Sequence, residues 1–267
     1  MQLRIVETPL ELGEAAANHI ETVVRANPNA VLGLATGSSP LPVYAALALR
    51  AQNGLDFANV RGFALDEYVG LAAEHEQCYR NVIQREILEP LGMNPELMQV
   101  PNGCAEDLHA ECANYERAIK YAGGIDLQIL GMGSNGHIGF NEPGSSATSE
   151  TRVVELAVQT RQDNARFFEN SHEVPQRSIT QGIGTILRAR EVLLVVSGDN
   201  KATALRLALC GPPDPAVPAS LLRSHSSTIA IVDRAAASEL PGELTLLAEG
   251  GRPYDAENHA SPSARVG

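Results

Sequence analysis

Residues 125–143 have the sequence IDLQILGMGSNGHIGFNEP, a short apolar run followed at once by a polar stretch rich in glycine. The run is typical of a buried β-strand, whereas Gly131, Gly133 and Gly136 allow the backbone after it to turn sharply. His137 is suited to proton transfer near neutral pH, and Glu142 follows it closely enough to orient the imidazole if the loop folds back. We interpret this stretch as a strand ending at a candidate site. A structural histidine in a glycine-rich turn is the alternative.

The same alternation of apolar runs and polar loops continues along the chain. Further apolar runs rich in valine, isoleucine and leucine predict strands that begin at Ala30, Val60, Leu97, Val192 and Thr228. Helical spacing is found over residues 10–25, 41–51, 78–91, 105–121 and 201–209. Thr8 and Glu11 form a candidate capping box, with Pro9 at the first helical position. The alternation predicts an α/β fold in which helices cover both faces of a mostly parallel sheet.

We predict one domain over residues 1–248. The polar segment 152–180 is too long for an ordinary connection, and we interpret it as a lid. The tail 249–267 has no periodicity, and we expect it to be flexible.

Composition limits the partners of this chain. Its 267 residues carry a formal net charge of −12, which disfavours general binding to nucleic acid or to an anionic membrane. No apolar run approaches the ~20 residues that a membrane helix needs. The four cysteines lack the spacing of a zinc site, and with no recognisable signal peptide they indicate a reduced cytoplasm. Because the chain is acidic overall, any anion site must be formed by a local group of donors.

Gly37, Ser38 and Ser39 lie between a predicted strand and a predicted helix, in the sequence TGSSP. N–H groups at the start of a helix can bind a phosphate. No Walker A lysine follows, and an ordinary turn in which Ser39 caps the helix is the alternative.

Asp66 and Glu67 follow the next predicted strand, where loops of a parallel sheet gather around ligands. One of them could act as a general base, and a helix cap or a solvated turn is the alternative. Arg166, in the polar segment, and Lys201, at a predicted helix start, are candidates to close over an anion.

Taken together, LGLATGSSP, LDEYVGL, LGMGSNGHIGFNEP, TRQDNARFF and PASLL occur in an order that closely resembles the glucosamine-6-phosphate deaminase family, from residue 3 to residue 239. The resemblance implies a Rossmann-like three-layer α/β/α domain. It also implies conversion of D-glucosamine 6-phosphate and water to D-fructose 6-phosphate and ammonia, without a metal ion or an organic cofactor, in amino-sugar catabolism. Because water is consumed, we class the expected enzyme as a hydrolase as well as an isomerase.

The resemblance also implies roles for individual residues. Asp66 corresponds to the base that moves a proton between C2 and C1, and His137 to the group that opens the sugar ring. Glu142 corresponds to the carboxylate partner of that histidine, and Asn135 stands where some members have aspartate. We therefore expect Glu142 to tune the imidazole more here than in those members. The phosphate would bind Gly37, Ser38 and Ser39, with Arg166 and Lys201 completing the pocket.

Some hexameric members are activated by N-acetylglucosamine 6-phosphate, through serines after the catalytic glutamate and an Arg-x-Lys pair. Here Ser145, Ser146 and Arg152 remain, but Val154 replaces the lysine, so we predict little or no activation. The oligomeric state stays open and includes a homo-oligomer. Three other functions also stay open: a galactosamine-6-phosphate deaminase, a hydrolase similar to 6-phosphogluconolactonase, and a non-catalytic sugar-phosphate sensor.

Overall fold

A seven-stranded parallel sheet forms the centre of the computed structural model, which describes residues 1–242 and 244. The strands are, in chain order, β1 (Gln2–Val6), β2 (Val31–Leu34), β3 (Arg61–Ala64), β4 (Asp66–Tyr68), β5 (Met98–Gln99), β6 (Leu127–Leu130), β7 (Arg152–Glu155), β8 (Arg177–Thr180), β9 (Glu191–Val196) and β10 (Thr228–Asp233). In the large sheet they are ordered β1-β10-β9-β6-β2-β3-β5, and every neighbouring pair is parallel.

Helices connect these strands and cover both faces of the sheet. The α-helices are α1 (Pro9–Ala26), α2 (Leu41–Gln52), α3 (Tyr79–Ile83), α4 (Glu89–Leu91), α5 (Leu108–Tyr121), α6 (Val158–Asn164), α7 (Ile183–Leu187) and α8 (Ala202–Cys210). A π-helical turn (Gln84–Leu88) joins α3 to α4. The 3₁₀ turns are Pro95–Leu97, Ala165–Phe167, Ser171–Glu173, Asp199–Lys201 and Pro218–Ser224. The predicted three-layer α/β/α fold with a mostly parallel sheet is confirmed.

The side chains of β9 show why the buried strands are apolar throughout. Leu193 and Val195 pack into a core with α1 and α2, whereas Val192 and Leu194 pack into a second core with α5 and α8. Successive side chains of a strand point to opposite faces, so a strand covered on both faces has no solvent-facing position. This explains the continuous run of valine and leucine at residues 192–196.

A second, smaller sheet lies beside the large one and was not predicted. Its order is β4-β8-β7, and both pairings are antiparallel. The segment 152–180, interpreted as a lid, supplies β7, α6 and β8. Strand β1, at the edge of the large sheet, was also not predicted.

Two neighbouring strands send the chain in opposite directions across the sheet. β2 and β6 are neighbours in the sheet. After β2 the chain continues to β3 and β5 on one side of this pair, whereas after β6 it continues to β9 on the opposite side. Open α/β sheets bind their ligands beyond the carboxyl ends of strands at such a switch point. The polar residues after β2 and β6 meet there.

Among the described residues, no helix combines the length and the apolar character needed to cross a bilayer. The tail predicted to be flexible, 249–267, lies outside the described residues, as do 243 and 245–248.

Thr8 caps α1 as predicted: its Oγ1 accepts the backbone N–H of Glu11 at 3.2 Å, and Pro9 occupies the first helical position. Replacing Thr8 by alanine leaves that N–H without its acceptor. We expect the free energy of unfolding to fall by about 1 kcal/mol, measured by urea denaturation.

Thr22 is the matched control, because it is exposed within α1 and, among the residues that the structure describes, its hydroxyl bonds only to the Asn18 carbonyl of the same helix. Thr22→Ala should leave stability nearly unchanged, since alanine favours a helix. Equal losses in the two variants would contradict the capping role of Thr8.

Candidate active site

The turn after β2 forms one wall of a cleft at the switch point. Gly37, Ser38 and Ser39 line it, and Gly37 has a φ of 99°, a conformation that favours glycine. No side chain caps the start of α2, so Ser39 does not have the capping role that the sequence left open. Hydroxyl and backbone donors are thus available next to a helix start, an arrangement suited to an anion.

Two cations reach the same cleft from distant parts of the chain. Arg166, in the 3₁₀ turn after α6, donates from Nη2 to Ser38 Oγ at 3.2 Å. Lys201 lies at the start of α8, and its pKa is lowered. Burial is the main cause and the positive charge of Arg166 adds to it, whereas the Asp163 carboxylate acts in the opposite direction. Two cationic side chains thus lie beside the turn after β2 in a protein that is acidic overall, an arrangement suited to a local anion site.

The turn before Lys201 is held by Asp233 at the end of β10. Its carboxylate accepts the Ser197 hydroxyl at 2.6 Å and the Gly198 N–H at 3.1 Å. Gly198 has a φ of 100°, so the turn depends on a glycine as well as on the carboxylate. Asp233 therefore fixes the backbone that carries Lys201.

Asp66 and Glu67 are both buried, yet they serve different purposes. Glu67 caps the start of α3, with its carboxylate accepting from Cys78 Sγ and from the backbone N–H groups of Tyr68, Tyr79 and Arg80. Asp66 lines the cleft, and no hydrogen bond from the described residues reaches its carboxylate. The helix-cap interpretation thus applies to Glu67, and Asp66 stays the candidate general base.

Burial raises the pKa of Asp66 well above its ordinary value, and the nearby Glu67 charge raises it further. A carboxylate without hydrogen-bond donors is poorly solvated and therefore a stronger base once it is ionised.

The imidazole of His137 lines the cleft, and its Nδ1 contacts Asn135. The distance from Nδ1 to Asn135 Oδ1 is 2.8 Å, and Asn135 Nδ2 donates to Glu142 Oε2, also at 2.8 Å. A carboxylate only accepts, so the amide must turn its NH₂ toward Glu142 and its oxygen toward His137. The neutral imidazole then carries its proton on Nδ1, which leaves Nε2 free to accept one.

Glu142, predicted to orient the imidazole, makes no direct hydrogen bond to it. Glu142 Oε2 lies 3.7 Å from Nδ1, beyond hydrogen-bond distance, and Asn135 bridges the two groups. Glu142 acts on His137 through Asn135 and through its charge. Its other oxygen, Oε1, accepts the Thr160 hydroxyl at 2.5 Å.

Burial lowers the pKa of His137, and this effect outweighs the nearby carboxylates. The Glu142 and Asp163 charges raise the pKa, whereas Lys201 lowers it. The lowered pKa favours the neutral imidazole, which is the form that can accept a proton. Gly133 packs under the ring, where an added Cβ would lie 2.1 Å from Cε1, so only glycine fits.

The cleft brings together most of the residues selected from the sequence. Its walls include Gly37, Ser38, Ser39, Asp66, His137, Arg166 and Lys201, and they enclose about 740 Å³ of space including solvent at the mouth. Asn135 and Glu142 stand behind His137. No group of three or more metal-ligating side chains is found within residues 1–242 and 244.

Sequence reasoning missed three residues of this wall: Thr160, Asp163 and Tyr79. Thr160 and Asp163 belong to the sequence TRQDNARFF. From that sequence we selected Arg166 alone as a candidate, because it is positively charged. Their position next to a cation in a polar segment was the available signal. Nothing in the local sequence marks Tyr79, which reaches the cleft because Glu67 fixes the start of α3.

Residues 7–231 match the family described as glucosamine-6-phosphate isomerases/6-phosphogluconolactonase. The chain belongs to this family. A glucosamine-6-phosphate deaminase from Arthrobacter sp. (strain FB24) is 53% identical over 241 residues, which cover 90% of this chain and 93% of that protein. One from Streptomyces coelicolor is 50% identical over 242 residues, with the same coverage.

Solved structures of family members have the same fold. A monomeric glucosamine-6-phosphate deaminase is similar with a TM-score of 0.87 and 41% identity, covering 90% of this chain and 100% of that chain. A 6-phosphogluconolactonase from Trypanosoma brucei has a TM-score of 0.71 at 22% identity, covering 90% of this chain and 98% of its own. The second likeness concerns the fold alone.

The classification as a hydrolase is wrong. The relatives are deaminases and the family includes isomerases, so net consumption of water is not the feature that classifies this chemistry.

Replacing Asn135 by aspartate places a negative charge beside Nδ1 of His137. We expect the pKa of His137 to rise, because the new carboxylate stabilises the imidazolium. The measurement is an NMR titration of isotope-labelled histidine, with the His137 signal assigned by its absence from His137→Gln. Asn29→Asp, which adds the same charge before the start of β2 and away from the cleft, should leave the titration unchanged. A fall in the pKa of His137 in Asn135→Asp would contradict this geometry.

Proposed function

We propose that this chain is a glucosamine-6-phosphate deaminase that converts D-glucosamine 6-phosphate and water to D-fructose 6-phosphate and ammonia. The observation that carries the proposal is the cleft itself, in which a poorly solvated carboxylate, a neutral imidazole and an anion-binding turn face one space. About half of the aligned residues are identical to those of proteins named glucosamine-6-phosphate deaminase, and this supports glucosamine 6-phosphate as the substrate.

The phosphate binds at the turn after β2. Gly37, Ser38 and Ser39 supply backbone and hydroxyl donors, and Arg166 and Lys201 supply positive charge. This fixes one end of the sugar, so the reacting carbons lie within reach of the side chains on the opposite wall.

Ring opening is the work of His137. Nε2 takes the proton of the anomeric hydroxyl while the bond from C1 to the ring oxygen breaks, and the ring oxygen then receives that proton. The product is the open-chain aldehyde. Asn135 and Glu142 keep the imidazole in the tautomer that this step needs.

Asp66 then removes the proton from C2 while the aldehyde oxygen takes up a proton, which gives an enolamine. Asp66 returns its proton to C1, and the nitrogen releases one proton to solvent in place of the proton taken up by the oxygen. The C2 imine that results reacts with water, and ammonia leaves as the C2 carbonyl forms. No metal ion or organic cofactor is part of this scheme.

The position of Asp66 separates this proposal from its rivals. Lactone hydrolysis needs no base for a carbon-bound proton, and a sugar-phosphate sensor needs no base at all. Galactosamine 6-phosphate differs at one hydroxyl, and we test it as the alternative substrate.

We propose in addition that residues 152–180 form a lid over the bound sugar. The contacts that α6 and the turn after it make with the walls of the cleft support this role. We also propose a cytoplasmic location. A monomer is the simplest assembly, since a relative with 41% identity is monomeric, although a homo-oligomer agrees equally with the cleft.

The purified chain should release ammonia and fructose 6-phosphate in equal amounts from glucosamine 6-phosphate, measured by coupled assays. Galactosamine 6-phosphate and 6-phosphogluconolactone are run in parallel. Turnover of either compound in preference to glucosamine 6-phosphate would overturn the assignment.

Asp66→Asn should retain phosphosugar binding and lose turnover by several orders of magnitude, because an amide cannot accept the C2 proton. The variant should also melt at a higher temperature, since neutral asparagine removes the cost of a buried charge at pH 7. A gain of about 1 kcal/mol corresponds to roughly 2–4 °C.

The higher melting temperature of the variant is expected because the pKa of Asp66 is raised in the folded state. The folded state favours the protonated form, so wild-type stability falls as pH rises through the unfolded and then the folded pKa, and the advantage of the variant grows over that range. Asp56→Asn, at an exposed position, is the control. Residual turnover near the wild-type rate in Asp66→Asn would show that another group is the base.

N-acetylglucosamine 6-phosphate should leave kcat and KM almost unchanged. Arg152 is already engaged by Asn141 Oδ1 at 2.8 Å and Ser145 Oγ at 3.2 Å, and Val154 supplies no second cation. Activation of several-fold, measured at a substrate concentration below KM, would contradict this expectation.

A further inference from the structure

The segment from Thr160 to Arg166 is hydrogen-bonded to separate walls of the cleft. The contacts are Thr160 Oγ1 to Glu142 Oε1 at 2.5 Å, Ser134 Oγ to Asp163 Oδ2 at 3.0 Å, Asn164 Nδ2 to Tyr68 Oη at 3.0 Å and Arg166 Nη2 to Ser38 Oγ at 3.2 Å. Within a single stretch, the chain thus touches both the phosphate-binding turn and the groups behind His137.

Thr160 differs from the others in its burial. Its exposed fraction is 2%, whereas Asp163 and Arg166 are exposed. A buried hydroxyl that donates to a carboxylate makes a charge-assisted hydrogen bond, which is shorter and stronger than one between neutral groups. Thr160 is therefore not a solvated side chain that happens to lie near Glu142.

The two oxygens of Glu142 have different donors. Thr160 holds Oε1, and Asn135 Nδ2 holds Oε2. With both oxygens engaged, the carboxylate stays 3.7 Å from Nδ1 of His137, and the imidazole donates to Asn135 instead. The hydroxyl thus restrains the carboxylate from moving into direct hydrogen-bond contact with the ring.

We propose that Thr160 is a positioning residue for the deamination: its hydroxyl holds Glu142 on Asn135 and so keeps His137 in the neutral form that opens the sugar ring. The proposal rests on the proposed function. Thr160 lies in α6, and Arg166 lies in the turn that follows it. If the proposal holds, ring opening as well as phosphate binding depends on the position of this segment.

Thr160→Val has almost the same shape as the wild-type side chain but lacks the donor. Without that donor, more of the negative charge of Glu142 is directed at the imidazole, and the charged form of His137 gains stability. The other ionisable groups facing the ring, Asp163, Lys201 and Asp66, are unchanged. The acid limb of kcat/KM should therefore move to higher pH by a few tenths of a unit.

We expect kcat/KM of Thr160→Val to fall about twofold on the acid limb, where the shift leaves more of His137 charged, and to change little at neutral pH, while KM changes little. Thr160→Ser keeps the hydroxyl and should restore both kcat/KM and the acid limb. Thr22→Val, which removes an exposed hydroxyl from α1, is the matched control and should behave as the wild type.

A double-mutant cycle separates action through Glu142 from a general effect on the fold. If Thr160 acts through Glu142, Thr160→Val should cost little in a Glu142→Gln background, so that the two losses are not additive. Melting temperatures are measured for every variant. If Thr160→Val does not fold, Thr160→Ala carries the same comparison with a smaller side chain.

Failure of this inference is distinguishable from failure of the proposed function. A wild-type chain that releases no ammonia from glucosamine 6-phosphate refutes the function before any variant is made. An active wild type, with a Thr160→Val variant whose kcat/KM and acid limb match those of Thr22→Val, refutes only the role of Thr160. A rise in KM alone, or fully additive losses in the cycle, would also overturn it.

Discussion

Leu65 belongs to the hydrogen-bonding patterns of two sheets, and the geometry of the cleft depends on this residue. Its N–H donates to the Leu34 carbonyl at 2.9 Å, continuing the pairing of β3 with β2, while its own carbonyl accepts the Gln181 N–H at 2.8 Å. The next residue, Asp66, is already paired with Thr180 in the antiparallel sheet. The chain therefore leaves the parallel sheet at a fixed point, with Asp66 turned into the cleft and the segment from β7 to β8 beside it.

This arrangement gives two neighbouring acidic residues opposite environments. Glu67 receives donors from the start of α3 and is a structural anion, whereas Asp66 receives none from the part of the chain that the structure describes, and its pKa is raised by burial. A protein with a formal net charge of −12 can thus concentrate positive charge at one turn and place a buried carboxylate in the same cleft. The relay from His137 through Asn135 to Glu142 follows the same principle, since a neutral amide passes on the orientation of the carboxylate without placing its charge against the ring.

The large sheet could be predicted because its strands are apolar on both faces and its helices have clear periodicity. β2, β3, β5, β6, β9 and β10 all follow from such runs. β4, β7 and β8 could not, because polar residues interrupt their apolar character and they are defined by pairing between distant segments, such as Glu67 with Ile179. The candidate residues His137, Asp66 and Arg166 stood out by their chemistry, but the bridging position of Asn135 and the contact of Thr160 with Glu142 depend on how the loops fold, which spacing alone does not specify.

The central claim is that the phosphate turn, Asp66 and His137 act on one sugar held in one cleft. A crystal structure of the chain with an open-chain amino-sugar phosphate that cannot isomerise tests it most directly. The account predicts the phosphate on the amides of Gly37 to Ser39, the Asp66 carboxylate next to C1 and C2, and Nε2 of His137 within hydrogen-bond distance of the oxygen on C1 or C5. A ligand whose phosphate lies elsewhere, or whose C2 faces away from Asp66, would contradict it.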